Sequence, residues 1–193
     1  MLKILHRVND PAQLHKLPNS FGVEMDLHAY GNHLVVHHDA FNRGFAFSEW
    51  LDNFRHSLVI LNIKEEGIEQ RVLDEVLARK IDNFFMLDLS VPALIRMTGK
   101  GESRCAVRVS KYEGIADALK LAGRAEWVWV DMFDGFPFDR SDLKKIQVAG
   151  FKICFASPEL HGQDKSMIMK VRKLIDKTNI RADAVCTKYP DLW

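Results

Sequence analysis

Residues 22–41 read GVEMDLHAYGNHLVVHHDAF. Two carboxylates, Glu24 and Asp26, stand two apart between Val23, Met25 and Leu27. Side chains alternate faces along a strand, so the acids share one face, about 7 Å apart at a rise of about 3.3 Å per residue. The three apolar residues take the other face. Strand interiors seldom carry two acids on one face. Burying an unpaired charge costs several kcal/mol, so such a pair must meet water, a cation or a metal ion. Histidines lie nearby: His6 upstream, and His37-His38 followed by Asp39 downstream. An imidazole, with an unperturbed pKa of about 6.5, takes and gives protons near neutral pH. Two acids on one strand face with histidines close behind raise the question of what chemistry needs them together.

Those side chains need elements to position them. Eight runs rich in β-branched and aromatic residues predict strands at 2–8, 22–28, 57–64, 83–90, 105–110, 127–133, 151–157 and 182–188. Helical spacing predicts helices over 67–80, 112–123, 139–150 and 164–178, and the second and third of these stop at a glycine. Alternating strand and helix argues for a parallel sheet with helices outside, and eight strands for an α/β fold of the compact (β/α)8 TIM-barrel type. A doubly wound open sheet is the rival. HRVNDP stands after the first strand where that fold often carries a glycine-rich loop.

Barrel sites form at the C-terminal ends of the strands. Polar residues fall there in several runs: His6, Asn62, Lys64, Asp88, Ser90, Arg108, Ser110, Asp131, Ser157, Glu159 and Lys188. Taken singly, Ser90, Ser110 or Lys188 is the start of a loop. His15, His33 and His56 read as surface residues. Trp127 and Trp129 alternate with valines and read as core. The three cysteines, Cys105, Cys154 and Cys186, lack CxxC spacing and read as buried free thiols.

At 193 residues and 47% hydrophobic composition the chain supports one buried core, hence a single domain over 1–193. A formal charge of +1 gives no bulk attraction to nucleic acid. The opening apolar run is too short for a signal peptide or a transmembrane helix, which makes a cytoplasmic location the expectation.

LHRVND, GVEMDL, a glycine, LVVHHDAF and LNIK together resemble the glycerophosphodiester phosphodiesterase family, within the wider group of phosphatidylinositol phospholipase C-like barrels. That family opens with HR at the end of its first strand, follows with ExD on the second, a glycine turn and an HD, and ends with ExK on the third. The HRVN opening is also similar to the sphingomyelinase D branch. The resemblance covers residues 4–64, with CTKYPDLW near the end. It implies that His6 is the first catalytic histidine, that Glu24 and Asp26 hold a metal, and that Lys64 is the lysine of the third motif. His38 matches the second histidine because Asp39 follows it; His37 is a one-residue rival. Asn62 departs from the family, which has an acid there. An amide oxygen still coordinates Mg²⁺ or Ca²⁺ but adds no negative charge, which leaves Asp88 and Asp131 as candidates for a further ligand.

The implied reaction is cleavage of a glycerophosphodiester-like or other phosphodiester, small or polymeric. One divalent ion, Mg²⁺ or Ca²⁺, sits on Glu24, Asp26 and Asn62. His6, His38 and Lys64 act on the reacting atoms, and Arg7, Arg108 and Lys188 are the cations for a phosphate. Hydrolysis and formation of a cyclic phosphate are both open. The alternative is a barrel of the same shape that binds a phosphorylated ligand without turnover. Face alternation predicts that His6, Glu24, Asp26, His38, Asn62 and Lys64 converge at one end of the barrel.

Overall fold

The computed structural model describes residues 1–178 and 181–193. Eight parallel strands follow one another around a barrel: β1 (Leu2–Leu5), β2 (Gly22–Tyr30), β5 (Leu58–Ile63), β6 (Phe84–Leu87), β7 (Ala106–Val109), β8 (Trp127–Val130), β9 (Lys152–Ala156) and β10 (Ala184–Thr187). Each pairs in parallel with its neighbour, and β10 returns to β1. The short strands β6 and β7 meet through one parallel bridge, Met86 to Cys105, where the Met86 amide donates to the Arg104 carbonyl at 2.9 Å. The fold is a compact (β/α)8 barrel. All eight sequence-predicted strands are present, most trimmed by one to three residues at an end.

Helices α1 (Pro11–Leu14), α2 (Phe47–Asn53), α3 (Glu69–Ala78), α4 (Val91–Gly99), α5 (Ile115–Leu119), α6 (Arg140–Val148) and α7 (Ser166–Thr178) lie outside the barrel. Three of the four expected helices agree within two residues at either end. The α5 helix is shorter than the expected 112–123, because Ser110 turns the chain by accepting from the amides of Tyr112 and Glu113.

The strand alternation sorts the core in two. Val23, Met25, Leu27, Val59 and Leu61 face the helices. Ile4, Ile60, Phe85, Trp127, Cys154 and Cys186 fill the barrel. Trp127 stacks on Phe85 with ring centroids 4.6 Å apart. Gly22 faces the same interior, and a Cβ there would lie 2.8 Å from Ile4 Cγ1. Cys105, Cys154 and Cys186 are buried and unbridged. His56, expected at the surface, is instead buried, with its ring 5.9 Å from Phe54. It lies just before β5, at the end of the barrel opposite the strand C-termini.

One excursion interrupts the alternation. Strand β2 runs past the barrel rim and turns at Gly31, φ +59, into the antiparallel β3 (His33–Val36), then β4 (Phe45–Ala46) and α2 (Phe47–Asn53). A Cβ on Gly44 would lie 2.3 Å from the Val36 carbonyl oxygen, so the β3–β4 crossing requires glycine. Trp50 of α2 donates to the Val8 carbonyl at 2.8 Å and ties this arm to the loop after β1. No helix among the described residues is long and apolar enough to cross a membrane.

Candidate active site

The loop after β1 is built around the acids of β2. Arg7 is in the left-handed region, φ +57, a conformation that costs a non-glycine residue about 1–2 kcal/mol. The turn aims the Arg7 amide at Glu24 Oε2, 2.6 Å away, a charge-assisted hydrogen bond that offsets the strain. Two residues on, Asn9 holds Asp26 at two points. Its Nδ2 donates to Asp26 Oδ2 and its Oδ1 accepts from the Asp26 amide, each at 2.9 Å.

Asn62, on the neighbouring strand β5, faces the same two acids. Its Nδ2 donates to Glu24 Oε1 at 2.8 Å and to Asp26 Oδ1 at 3.2 Å, while its own Oδ1 is buried without a partner. Lys64 Nζ lies 3.4 Å from Asp26 Oδ1, and His6 Nε2 lies 3.8 Å from Glu24 Oε2. Burial, then the charge of Asp26, pushes the Glu24 carboxyl well above its usual range. Burial, with Arg7 next, lowers His6 to about 4, so its ring is neutral at pH 7.

This donor set fits a hard divalent ion. One polar atom already sits between Glu24 Oε1 and Asp26 Oδ1, and a half-turn of the Asn62 amide would replace it with the orphaned oxygen. Oxygen donors of this kind suit Mg²⁺ or Ca²⁺. Among the described residues no group of three or more His, Cys, Asp or Glu is placed to hold a metal.

A second arc of charges completes the mouth. Arg108, on β7, donates to Asp88 Oδ1 at 2.8 Å and to Asp131 Oδ2 at 2.5 Å. Asp88 has φ +60, which turns its carboxylate between Arg108 and Lys64; Lys64 Nζ is 3.1 Å from its Oδ2. Trp129 Nε1 donates to Asp131 Oδ1 at 2.8 Å. His161 Nε2 lies 3.1 Å from the same oxygen but off the line of a hydrogen bond, so this contact is electrostatic. Burial opposes the Asp131 charge, but His161, Arg108 and Trp129 outweigh it and hold the carboxyl below its usual range. Asp88 and Asp131 are thus taken up by cations across the mouth from Asn62.

His6, Glu24, Asn62, Lys64, Arg108 and His161 line one cavity of about 180 Å³ at the C-terminal end of the barrel. Asp26 lies beside it, joined through Asn62 and Lys64. The structure does not bring His38 into this lining. Its side chain is 41% exposed, on the β3–β4 loop, with Nδ1 2.7 Å from Asp39 Oδ1. His37 shares that loop; its amide donates to the Asp26 carbonyl and its ring packs edge-on to His28. Arg7 Nε is 3.5 Å from Asp26, whereas Lys188 faces an adjoining hollow beside Glu159 and Tyr189. A larger hollow of about 480 Å³ lies away from these groups, between the β3–β4 arm and α3.

Sequence reasoning gave no role to Asn9 or His161. Asn9 closes the quoted HRVN, so its signal was its place in that opening and a polar side chain just past a strand end. His161 sits in a 3-10 turn (Pro158–His161) after β9, where no periodicity marks it.

No protein-family model matches the chain, and no curated protein matches it significantly. Solved structures do. A candidate glycerophosphodiester phosphodiesterase from Galdieria sulphuraria superposes with a TM-score of 0.72 at 14% identity, over 99% of this chain and 95% of that one. The glycerophosphodiester phosphodiesterase from Agrobacterium tumefaciens str. C58 gives 0.69 at 13%, over 100% and 99%. A mutant tryptophan synthase α-subunit from Pyrococcus furiosus gives 0.59 at 14%, over 99% and 88%. The chain therefore has the barrel fold of glycerophosphodiester phosphodiesterases. The third neighbour carries a different chemistry on the same frame, so function has to be argued from the site.

Proposed function

We propose that the protein is a metal-dependent phosphodiesterase acting on a glycerophosphodiester-like substrate at the barrel mouth. The observation that carries this reading is the Asn62 amide held between Glu24 and Asp26, with His6 beside them and Lys64 and Arg108 on the same cavity wall. The order of HR, ExD, HD and a third-strand lysine along the chain supports it, as does the fold of two phosphodiesterase neighbours.

Charge at the mouth supports the metal. Among the described residues, the lysine and arginine side chains within ion-pair distance of Asp26, Asp88 and Asp131 are Arg7, Lys64 and Arg108, and the histidines beside Glu24 and Asp131 are His6 and His161. An anionic diester is poorly held there until positive charge is added. Glu24, Asp26 and Asn62 would hold a divalent ion, which would supply that charge when bound. The neutral ring of His6 takes the proton of the attacking hydroxyl, whether from water or from the substrate. Lys64 and Arg108 stand where negative charge develops on the phosphoryl group.

The test is a screen of glycerophosphodiesters, phosphoinositides, lysophospholipids and phosphate-linked polysaccharides with Mg²⁺, Ca²⁺ or chelator. Turnover that requires the ion and disappears in Asp26→Ala supports the reading. A second reading, a binder of phosphorylated ligands, draws on the Asn62 amide already satisfying both acids. It predicts a thermal shift with inorganic phosphate that needs no metal, and no turnover.

A further inference from the structure

The cavity contains two histidines, and only one of them lies in the stretch that resembles a known family. We propose that His161 is the group that protonates the leaving oxygen of the phosphodiester. The assignment rests on the phosphodiester reading above and names the second proton-transfer residue of that same site.

His161 and His6 line the same cavity. Only 12% of the His161 side chain is exposed. Its ring packs against Phe133, with centroids 4.4 Å apart, and faces the Asp131 carboxylate. Asp131 is itself fixed by Trp129 and Arg108. The turn that carries His161 is anchored as well. Glu159 is buried and accepts from Thr187 Oγ1 at 2.6 Å, from the Lys188 amide at 3.0 Å and from Ser157 Oγ. Gly162, φ +78, closes the turn. His161 is thus presented to the cavity by β8, β9 and β10 together. Phe133 and the anchored turn hold the ring in place beside the Asp131 carboxylate, and a held imidazole at a cavity wall is placed to give or take a proton.

In the step proposed, a hydroxyl oxygen attacks phosphorus and gives its proton to His6. The bond from phosphorus to the leaving oxygen breaks, and the proton on His161 passes to that oxygen to release an alcohol. His161 ends neutral and His6 ends protonated. No oxidant or further reactant is needed.

The experiment compares two diesters with Mg²⁺ and with Ca²⁺. Glycerophosphocholine has an alkoxide leaving group that needs a proton, and bis(4-nitrophenyl) phosphate has one that does not. His161→Ala and His161→Gln should slow glycerophosphocholine cleavage by about 10²–10⁴-fold and leave nitrophenyl release within about tenfold of wild type. The glutamine variant keeps much of the packing on Phe133, so it decides the matter should the alanine variant not fold. An equal loss on both diesters assigns His161 to structure and overturns the proposal. So does a leaving-group-selective loss in His38→Ala with none in His161→Gln. Should wild type cleave another diester of the screen instead, that diester takes the place of glycerophosphocholine; cleavage of none of them with either ion overturns the phosphodiester reading itself, and this role with it.

Discussion

Asn62 donates its side-chain amide to Glu24 Oε1 at 2.8 Å. The same nitrogen reaches Asp26, and this single donor keeps two buried acids together without a third negative charge. Replacing it with an acid inverts the arrangement. Asn62→Asp should lower the metal-free stability by about 1–3 kcal/mol, because a donor is lost and charge is added in a buried site. It should also tighten Mg²⁺ or Ca²⁺ binding by about tenfold or more, since affinity follows ligand charge. Denaturant melts with chelator and calorimetry with each ion check the two halves separately. Unchanged metal affinity would place the ion elsewhere.

Asn9 acts on the other side of Asp26. Asn9→Ala removes both a donor to the carboxylate and an acceptor for the Asp26 amide. Each buried group left unpaired costs about 1–3 kcal/mol. The variant should lose stability on that scale, and its metal affinity should fall as Asp26 gains freedom. Chemical denaturation and calorimetry read both, and a loss below about 0.5 kcal/mol would mean that water replaces the clamp.

The Arg108 pair with Asp131 offers a cycle. Arg108→Ala leaves the Asp131 carboxylate buried without its guanidinium, which for such pairs costs about 3–5 kcal/mol. Asp131→Asn added to that variant should recover part of the loss, because the orphaned charge is gone. Melting the two single variants and the double variant measures the coupling. Simple additivity would contradict a direct interaction.

The pH dependence follows from two opposed groups. His6 takes its proton near 6.5 in the unfolded chain and only near 4 in the fold. Between those values the unfolded state binds more protons, so this group makes stability rise with pH and fall as pH drops. Glu24 works the other way. Its folded pKa is raised above 4.5, so from about pH 4.5 upward the folded state holds the extra proton and stability falls as pH rises. The slopes oppose one another between about 4.5 and 6.5. Removing His6 in His6→Asn should expose the falling slope, and Glu24→Gln should expose the rising one. Denaturant midpoints across that range test the pair, and the same slope in both variants would show that one of the two burial effects is missing.

Much of the barrel could be read directly from the chain. Strands such as GVEMDL and LVILNI carry their faces in the alternation, because a period of two leaves each side chain one place to go. That alternation put Glu24, Asp26 and Asn62 on the inner face, and the structure places them within hydrogen-bonding reach of one another. The arm from β3 to α2 was not legible. Its β4 has two residues, and its β3 folds back antiparallel on the end of β2 instead of opening a strand–helix unit of its own, so the strand–helix alternation does not announce it.

By itself the sequence determined which residues share a strand face and which strand ends carry charge, since those depend on neighbours one or two places away. Only the tertiary structure decided which of those ends meet. Arg7 turns its amide onto Glu24 from 17 residues away, and Arg108 joins Asp88 to Asp131 across three strands. His38 and His161 have the same side chain, and the one local signal, Asp39 directly after His38, does not say which of them reaches the cavity. The barrel separates them: one stands on an exposed arm, and the other is held against Phe133 and Asp131 inside the cavity. Contacts of that kind are set by how eight strands close on themselves, which no short stretch of the chain contains.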